Sequence, residues 1–328
     1  MVKVLASTLL YILISFAECL HHNSYPLKDD RVPDYIEQLK AHKHPEKDPI
    51  NYYTFTYLSN PKCNIEKYFE DPVLRLTLIV KSTVYDFEKR NAIRSTWGQE
   101  YRTGFPEVDI RTVFNLGYSK YKYIQDKVEV ESDVFGDILQ SDFQDAYFNN
   151  TFKTVMGIKW AMENCHSSNF FFFVDEDFFV STKNLANFLL SQKDEYEKES
   201  VYMGYVHKNP KPYRNTKNKW FVSEEEYPFT TYPPFAAGGG VIFSKKGLQD
   251  IHYGISYTQH FRLDDVFIGL VAAKANIKPR HNPEIHSYRK VEPKENVEHF
   301  RDVIASHGFG DIDEMINVWN QCERAGFA

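Results

Sequence analysis

The segment Phe170-Phe171-Phe172-Phe173-Val174-Asp175-Glu176-Asp177-Phe178-Phe179-Val180 constrains the fold more than any other part of the chain. An unbroken apolar run has no polar face, so a strand made of it must be covered on both sides, as in a sheet held between helices. The carboxylates follow with no spacer. Side chains of an extended chain alternate in direction, which sends Asp175 and Asp177 to one side and Glu176 to the other. Two like charges this close, beside apolar residues, repel and drive one pKa upward unless a positive charge sits between them. A divalent cation is the natural counterion. The plain alternative is a strand that simply ends in an acidic turn.

Apolar strands and helices alternate along the rest of the chain. Leu74–Lys81 (LRLTLIVK) reads as a first core strand, residues 87–97 as a helix, residues 110–116 as a second strand, and residues 121–131 as a helix. Residues 151–165 form a stronger helical pattern, with Phe152, Val155, Ile158, Trp160 and Met162 among its apolar positions. After the acidic segment, residues 201–206 and 241–243 read as strands, and residues 263–275 and 312–324 as helices. This order predicts an α/β fold with a mostly parallel sheet, in which ligands bind beyond the carboxyl ends of the strands. Asp175 to Asp177 lie at that end of the phenylalanine strand.

Length and charge narrow the function. The 328 residues are 42% hydrophobic, ample for a core, and the formal charge of -6 offers no positive field to gather nucleic-acid phosphates. Residues 1–20 read as a signal peptide or an uncleaved signal-anchor: Lys3 precedes an apolar run that is short for a membrane span, and Ser15-Phe16-Ala17 supplies small residues for cleavage. Residues 21–70, rich in charge and proline with a weak apolar patch from Tyr35 to Leu39, read as a stem, and residues 71–328 as the folded domain. Of the four cysteines, Cys63, Cys165 and Cys322 allow one disulfide in an oxidising lumen, and no zinc spacing occurs. Asn149-Asn150-Thr151 is a glycosylation sequon.

Five patches occur in a specific order. They are Arg90-Asn91-Ala92-Ile93-Arg94-Ser95-Thr96-Trp97-Gly98; Gly136-Asp137-Ile138-Leu139-Gln140 with Asp142-Phe143; the acidic triplet; Tyr232-Pro233-Pro234-Phe235 with Gly238-Gly239-Gly240; and Asp264-Asp265-Val266-Phe267-Ile268-Gly269. Together they resemble the β1,3-galactosyltransferase and β1,3-N-acetylglucosaminyltransferase family, the galactosyltransferases of family 31, related to Fringe, from about Leu74 to Trp319. The resemblance implies a single GT-A-like, Rossmann-type domain with a mostly parallel central sheet covered by helices. It implies inverting β1,3-transfer of galactose, N-acetylglucosamine or N-acetylgalactosamine from a UDP-sugar donor to a glycan acceptor on glycoprotein or glycolipid. It also implies a type II Golgi membrane protein with a luminal domain, or a secreted or soluble luminal one if residues 1–20 are cleaved.

Site residues follow from the same resemblance. Asp175 and Asp177 match the family's D-x-D, whose last carboxylate ligates Mn2+ or Mg2+ and whose first touches the ribose or the metal shell; oxygen ligands suit such hard ions. Glu176, which faces away, stands where relatives often carry Asp. Arg90 and Arg94, four apart on one helix face, border the nucleotide, and Trp97 reads as core. Gly238 and Gly239 let the backbone approach the donor. Asp265, with Asp264 as its understudy, is the base for the acceptor hydroxyl, although an acidic pair at a helix start can also merely cap it. His286, in Ile285-His286-Ser287, matches a Fringe-type His-Ser that completes the metal shell. Two rival readings share the acidic residues: a metal-independent glycoside hydrolase and a non-catalytic luminal sugar-binding protein on a transferase fold.

Overall fold

A computed structural model describes residues 31–63, 74–100, 108–288 and 296–328. The expected signal or anchor segment lies outside the described residues, among which no helix is long and apolar enough to cross a membrane.

The described chain runs α1 (Val32–Lys40), β1 (Tyr57–Ser59), β2 (Leu74–Lys81), α2 (Phe87–Ser95), β3 (Val108–Tyr118), α3 (Lys122–Phe135), β4 (Ile138–Gln144), a 3-10 turn (Tyr147–Asn149), α4 (Asn150–Asn164) and β5 (Phe170–Asp175). It continues through β6 (Phe178–Val180), α5 (Thr182–Tyr196), β7 (Tyr202–His207), β8 (Phe235–Ser244), α6 (Lys245–Ile255), α7 (Asp264–Lys274), β9 (Arg280–His281), β10 (Ile285–His286), β11 (Ala305–His307) and α8 (Ile312–Arg324). The main sheet has the order β1-β4-β3-β2-β5-β8-β7-β9, and β10-β11-β6 form a small second sheet. Strands β4, β3, β2 and β5 are mutually parallel, while β8 runs antiparallel to both β5 and β7. This is the GT-A-like arrangement, a parallel block of Rossmann type extended by a reversed strand.

The phenylalanine strand sits between β2 and β8, and its alternation divides the core. Phe170 and Phe172 pack into one cluster with Leu76, Leu78, Trp97 and Trp319. Phe171 and Phe173 pack into the other with Ile79, Val113, Trp160 and Phe267. Each buried ring contributes roughly 1.5–3 kcal/mol, so the strand is fixed in register by both faces at once. Its carboxyl end is thereby held still.

The stem expected over residues 21–70 is in part folded. Val32, Tyr35 and Ile36 are buried and form a small cluster with Tyr257, just beyond the end of α6, and Leu39 packs against it. The weak apolar patch is thus one helical face with i, i+3, i+4, i+7 spacing, enough to dock α1. Farther on, β1 pairs antiparallel with β4, and Asp142 takes hydrogen bonds from the N–H and hydroxyl of Thr56 at 3.0 and 2.7 Å. The folded unit therefore begins well before residue 71. Cys63 is bonded to Cys165 at the end of α4, across a separation of 102 residues, and Cys322 is free and buried.

That bond staples the entry segment to the sheet's helical layer. Cys165→Ser should lower the unfolding free energy by about 2–4 kcal/mol, read as a lower denaturant midpoint, and wild type in reductant should shift alike. Coincident curves for oxidised wild type and variant would mean that the bond contributes nothing.

Candidate active site

The carboxyl ends of β2 and β5 lie side by side, with Lys81 in register with Asp175. Lys81 closes an apolar strand, so its stem is buried and its ammonium lies, still buried, at the carboxyl end of β2. There Nζ lies 2.9 Å from Asp175 Oδ1 and 2.8 Å from Asp264 Oδ2 at the start of α7. The Thr154 hydroxyl of α4 donates to the same Asp264 oxygen at 2.9 Å. Burial alone would lower the Lys81 pKa, but Asp175 and Asp264 overcome it and hold the ammonium charged. The same pair leaves Asp264 below the usual carboxylate range: burial pushes it up, and Lys81 and Thr154 pull it down further.

Asp265 stands next in sequence without such a partner. Burial, and then the adjacent Asp264 charge, push it up to about 7. Its Oδ1 accepts the Val266 N–H at 2.8 Å, which orients the carboxylate and leaves Oδ2 to take a proton. Two neighbouring carboxyls with proton affinities driven apart are what an acid–base site requires.

The triplet turns rather than continuing as a strand. Asp175 ends β5, Glu176 and Asp177 make the turn, and Phe178 begins β6. Asp177 Oδ2 lies 3.1 Å from His307 Nε2 on β11, which pairs with β6. Burial raises Asp177, and His307 more than offsets this and holds it low; the hydrogen bond to Asp177 in turn raises His307 above the ordinary imidazole value. Asp177 Oδ1 is buried with no hydrogen-bond partner in any other described residue. A buried carboxylate oxygen without a donor is costly, and an oxygen-seeking cation would satisfy it. Asp175 rises through burial, with Asp264 and Asp177 adding to it and Lys81 opposing. Glu176 does face the other way, toward Asp86 and Lys89; burial and the hydrogen bond to Asp86 push it up to about 8, so it is mostly protonated at neutral pH.

Among the described residues no group of three or more His, Cys, Asp or Glu side chains is gathered as a self-sufficient metal cage. An ion held here takes some of its ligands from the substrate or water, the habit of small hard divalent ions on phosphates.

Strand β8 passes close to both acidic groups. A Cβ on Gly238 would stand 3.1 Å from Asp265 Cβ, and one on Gly239 would stand 2.3 Å from Phe178 Cε2 and 3.2 Å from Asp175 Oδ2. The two glycines point to opposite faces, one admitting the Asp264–Asp265 helix and the other the acidic turn. Neither has positive φ; close approach is the reason for both.

The other expected residues fall elsewhere. Arg90 is fully buried and binds Glu131 of α3 at 2.6 to 3.1 Å and Ser82 at 3.1 Å. Arg94 makes a bidentate pair with Asp137 at 2.7 and 2.8 Å and also meets Glu131. Both guanidiniums are thus engaged by the carboxylates of Glu131 and Asp137, Arg90 alone also reaching Ser82 in the loop after β2, and the structure does not bring them to the acidic pocket. Trp97 is fully buried core. His286 lies on β10 in register with Ser306, one residue from His307, and its ring packs 6.0 Å from Tyr288. The imidazole on Asp177 is His307, which reading the sequence missed because Ser306-His307 carries no more local signal than Ile285-His286. Lys81 was missed too, although a lysine closing an otherwise apolar strand is a visible anomaly. Of the sequon, Asn149 Nδ2 donates to the Gln144 carbonyl and Thr151 is buried against the Phe261 carbonyl, so a glycan there would have to be attached before this segment folds.

The chain is similar to known proteins over most of its length. The profile of the family described as Galactosyltransferase matches residues 88–283. The chain is 40% identical over 274 residues to β1,3-galactosyltransferase brn of Drosophila melanogaster, covering 84% of this chain and 82% of the relative. It is 33% identical over 272 residues to β1,3-galactosyltransferase 1 of Mus musculus, covering 83% and 80%. With β1,3-galactosyltransferase 5 of Mus musculus it shares 35% identity over 254 residues, covering 76% and 79%.

Lys81→Met should cost about 3–5 kcal/mol at pH 7, because it strands buried carboxylates. In the variant Asp264 and Asp175 lose the cation that opposes their burial, so their folded pKa values rise and they take up protons as pH falls toward the ordinary carboxylate range, which relieves the stranded charge. The deficit should therefore narrow toward pH 4 in parallel denaturation curves. A constant deficit across that range would remove Lys81 from the carboxylate pair.

Proposed function

The chain belongs to the galactosyltransferase family, and from that premise we propose that it is a UDP-sugar-dependent, inverting β1,3-hexosyltransferase acting in the Golgi lumen. That it is a glycosyltransferase, with a sugar donor and a glycan acceptor, follows from the family itself. The hydrolase and non-catalytic binder readings give way accordingly. The donor is galactose, N-acetylglucosamine or N-acetylgalactosamine, and the acceptor is a glycoprotein or glycolipid glycan. The Cys63–Cys165 bond supports an oxidising compartment, and residues 1–20 are proposed as the signal-anchor or signal peptide that leads there.

One arrangement carries the mechanism: Asp265, oriented by the Val266 N–H, stands beside an Asp264 that Lys81 grips at 2.8 Å, and burial with that neighbouring charge pushes the Asp265 pKa up. The acceptor hydroxyl oxygen attacks the anomeric carbon, the bond from that carbon to the UDP oxygen breaks, and the hydroxyl proton passes to Asp265. Asp264 is retained as its understudy, although its salt bridge suits it to raising Asp265. Mn2+ or Mg2+, when bound, would neutralise the charge that develops on the departing diphosphate. Asp177 and His307 would hold it, with Asp175 facing the same opening, and the unpartnered Asp177 oxygen fits that role. His286, on the strand next to His307, is proposed as a further candidate ligand of the ion. Gly238 and Gly239 admit the donor by keeping β8 clear of the carboxylates. Arg90 acts on the donor site by holding Ser82 in the loop that follows β2, and Arg94 by tying α2 to Asp137 ahead of β4.

Transfer with Mn2+ should rise with pH to a plateau above about pH 7, as Asp265 ionises. Asp265→Asn should lower kcat about 10²–10⁴-fold while UDP affinity, read by calorimetry, stays unchanged. Because its folded pKa is raised, Asp265 contributes most stability below its unfolded value and loses it as pH rises through about 7. The same variant should accordingly be more stable than wild type at pH 8, by on the order of a few kcal/mol. Asp177→Ala and His307→Ala should each abolish the Mn2+-dependent part of UDP binding. UDP affinity indifferent to EDTA and to both variants would refute the metal assignment.

A further inference from the structure

Exposed aromatic rings cluster near the acidic residues, on the β7–β8 loop and on the 3-10 turn that faces it. Between β7 and β8, residues 208–234 fold around Arg214, whose guanidinium donates to the carbonyls of Val222, Ser223, Tyr227 and Phe229 at 2.7 to 2.9 Å. The Tyr232 N–H closes the loop onto the Pro210 carbonyl at 2.8 Å. One cation saturated by four carbonyls makes this a defined object rather than slack chain, and long ordered loops of this kind are commonly functional.

The loop carries Trp220, whose Nε1 donates to the Tyr147 hydroxyl at 2.8 Å. Tyr213 packs beside Trp220 in a tilted pair with centroids 5.6 Å apart, and Lys219 lies 4.5 Å from the Trp220 ring and 5.5 Å from Tyr147. Trp220 is 40% exposed, Tyr147 47% and Tyr213 52%, whereas Trp97, Trp160 and Trp319 are buried to 1% or less. A group of large rings left in water, each held by contacts to its neighbours, marks a binding surface.

Its position gives the occupant. The 3-10 turn bearing Tyr147 runs directly into α4, where Thr151 is bonded to the Phe261 carbonyl and, one turn on, Thr154 to Asp264. Tyr147 and the acidic pair therefore hang on one helix. Burial chiefly raises the Tyr147 phenol, and the charges of Asp264, Asp265 and Asp175 add to it. A ring system beside a base that deprotonates a hydroxyl suits a pyranose, whose C–H face is apolar and whose rim is polar.

We propose that Trp220, braced by Tyr147, is the acceptor subsite, stacking on the C–H face of the terminal hexopyranose of a glycan and presenting one of its hydroxyls to Asp265. This rests on the transferase reading for the role of Asp265, while the stacking itself is a binding claim. The Trp220–Tyr147 bond sets the ring plane, so Trp220 is a specificity-determining contact.

The test uses the full chain with Mn2+ and UDP, and the methyl β-glycosides of galactose, glucose, mannose, N-acetylglucosamine and N-acetylgalactosamine. Trp220 is the one tryptophan accessible to acrylamide, so fluorescence quenching reports on it alone. At least one glycoside should protect it, and protection of none overturns the subsite. In turnover with the protecting glycoside, Trp220→Ala should raise the acceptor KM about tenfold or more, and Trp220→Phe much less. UDP affinity should stay at the wild-type value in both, which also verifies folding. An unchanged acceptor KM, or a loss of UDP affinity in the folded Trp220→Phe variant, overturns the assignment. Protection without turnover of any UDP-sugar leaves the stacking site standing and removes the transferase reading instead.

Discussion

One buried ammonium organises the catalytic end of this molecule. Lys81 bonds Asp175 at the end of the neighbouring strand and Asp264 at the head of α7, joining elements 183 residues apart in sequence. Without it the acidic groups would repel at low dielectric, and β5 could not end, nor α7 begin, where it does. With it, the positive charge is shared between two carboxylates and the remaining negative charge is left on Asp265 and Asp177. The site is thus built around an unequal distribution of a single cation.

The inequality is what makes neighbouring aspartates chemically different. Asp264 has Lys81 and Thr154; Asp265 has a backbone N–H and the field of Asp264. A base that is half ionised near neutral pH is costly to the fold, and the cost is offset by the phenylalanine strand and the helices packed on both of its faces. The glycines of β8 belong to the same balance. They forgo side-chain packing at Gly238 and Gly239 so that a helix start and an acidic turn can both close onto one strand.

Regular elements with strong apolar periodicity were legible in the chain: Leu74–Lys81 and Ile312–Arg324 end where the pattern does. The acidic turn and Asp265 were legible as well, because carboxylates beside apolar runs demand an explanation. Other features were not. Strand β8 extends through Phe235–Ser244, farther than its apolar core at residues 241–243, because glycines carry no hydropathy signal in a strand. Helix α1 hides in a charged, proline-bearing stretch, since three buried residues suffice to dock it on Tyr257. Arg90 and Arg94 share a helix face with the spacing of ligand-binding residues, but what they meet is Glu131 and Asp137, residues that the pattern of the helix alone does not reveal.

The chain alone determined the α/β class, the buried strand with acids at its end, and the acidic pair opening a helix, because each is local and written in periodicity or in misplaced charge. Only the tertiary structure decided which cation faces which carboxylate. Lys81 reaches Asp264, and His307 rather than His286 reaches Asp177, through strand pairings between distant segments. Electrostatic partners are chosen by distances of a few ångströms in space, and the sheet order that sets those distances has no counterpart in the order of residues.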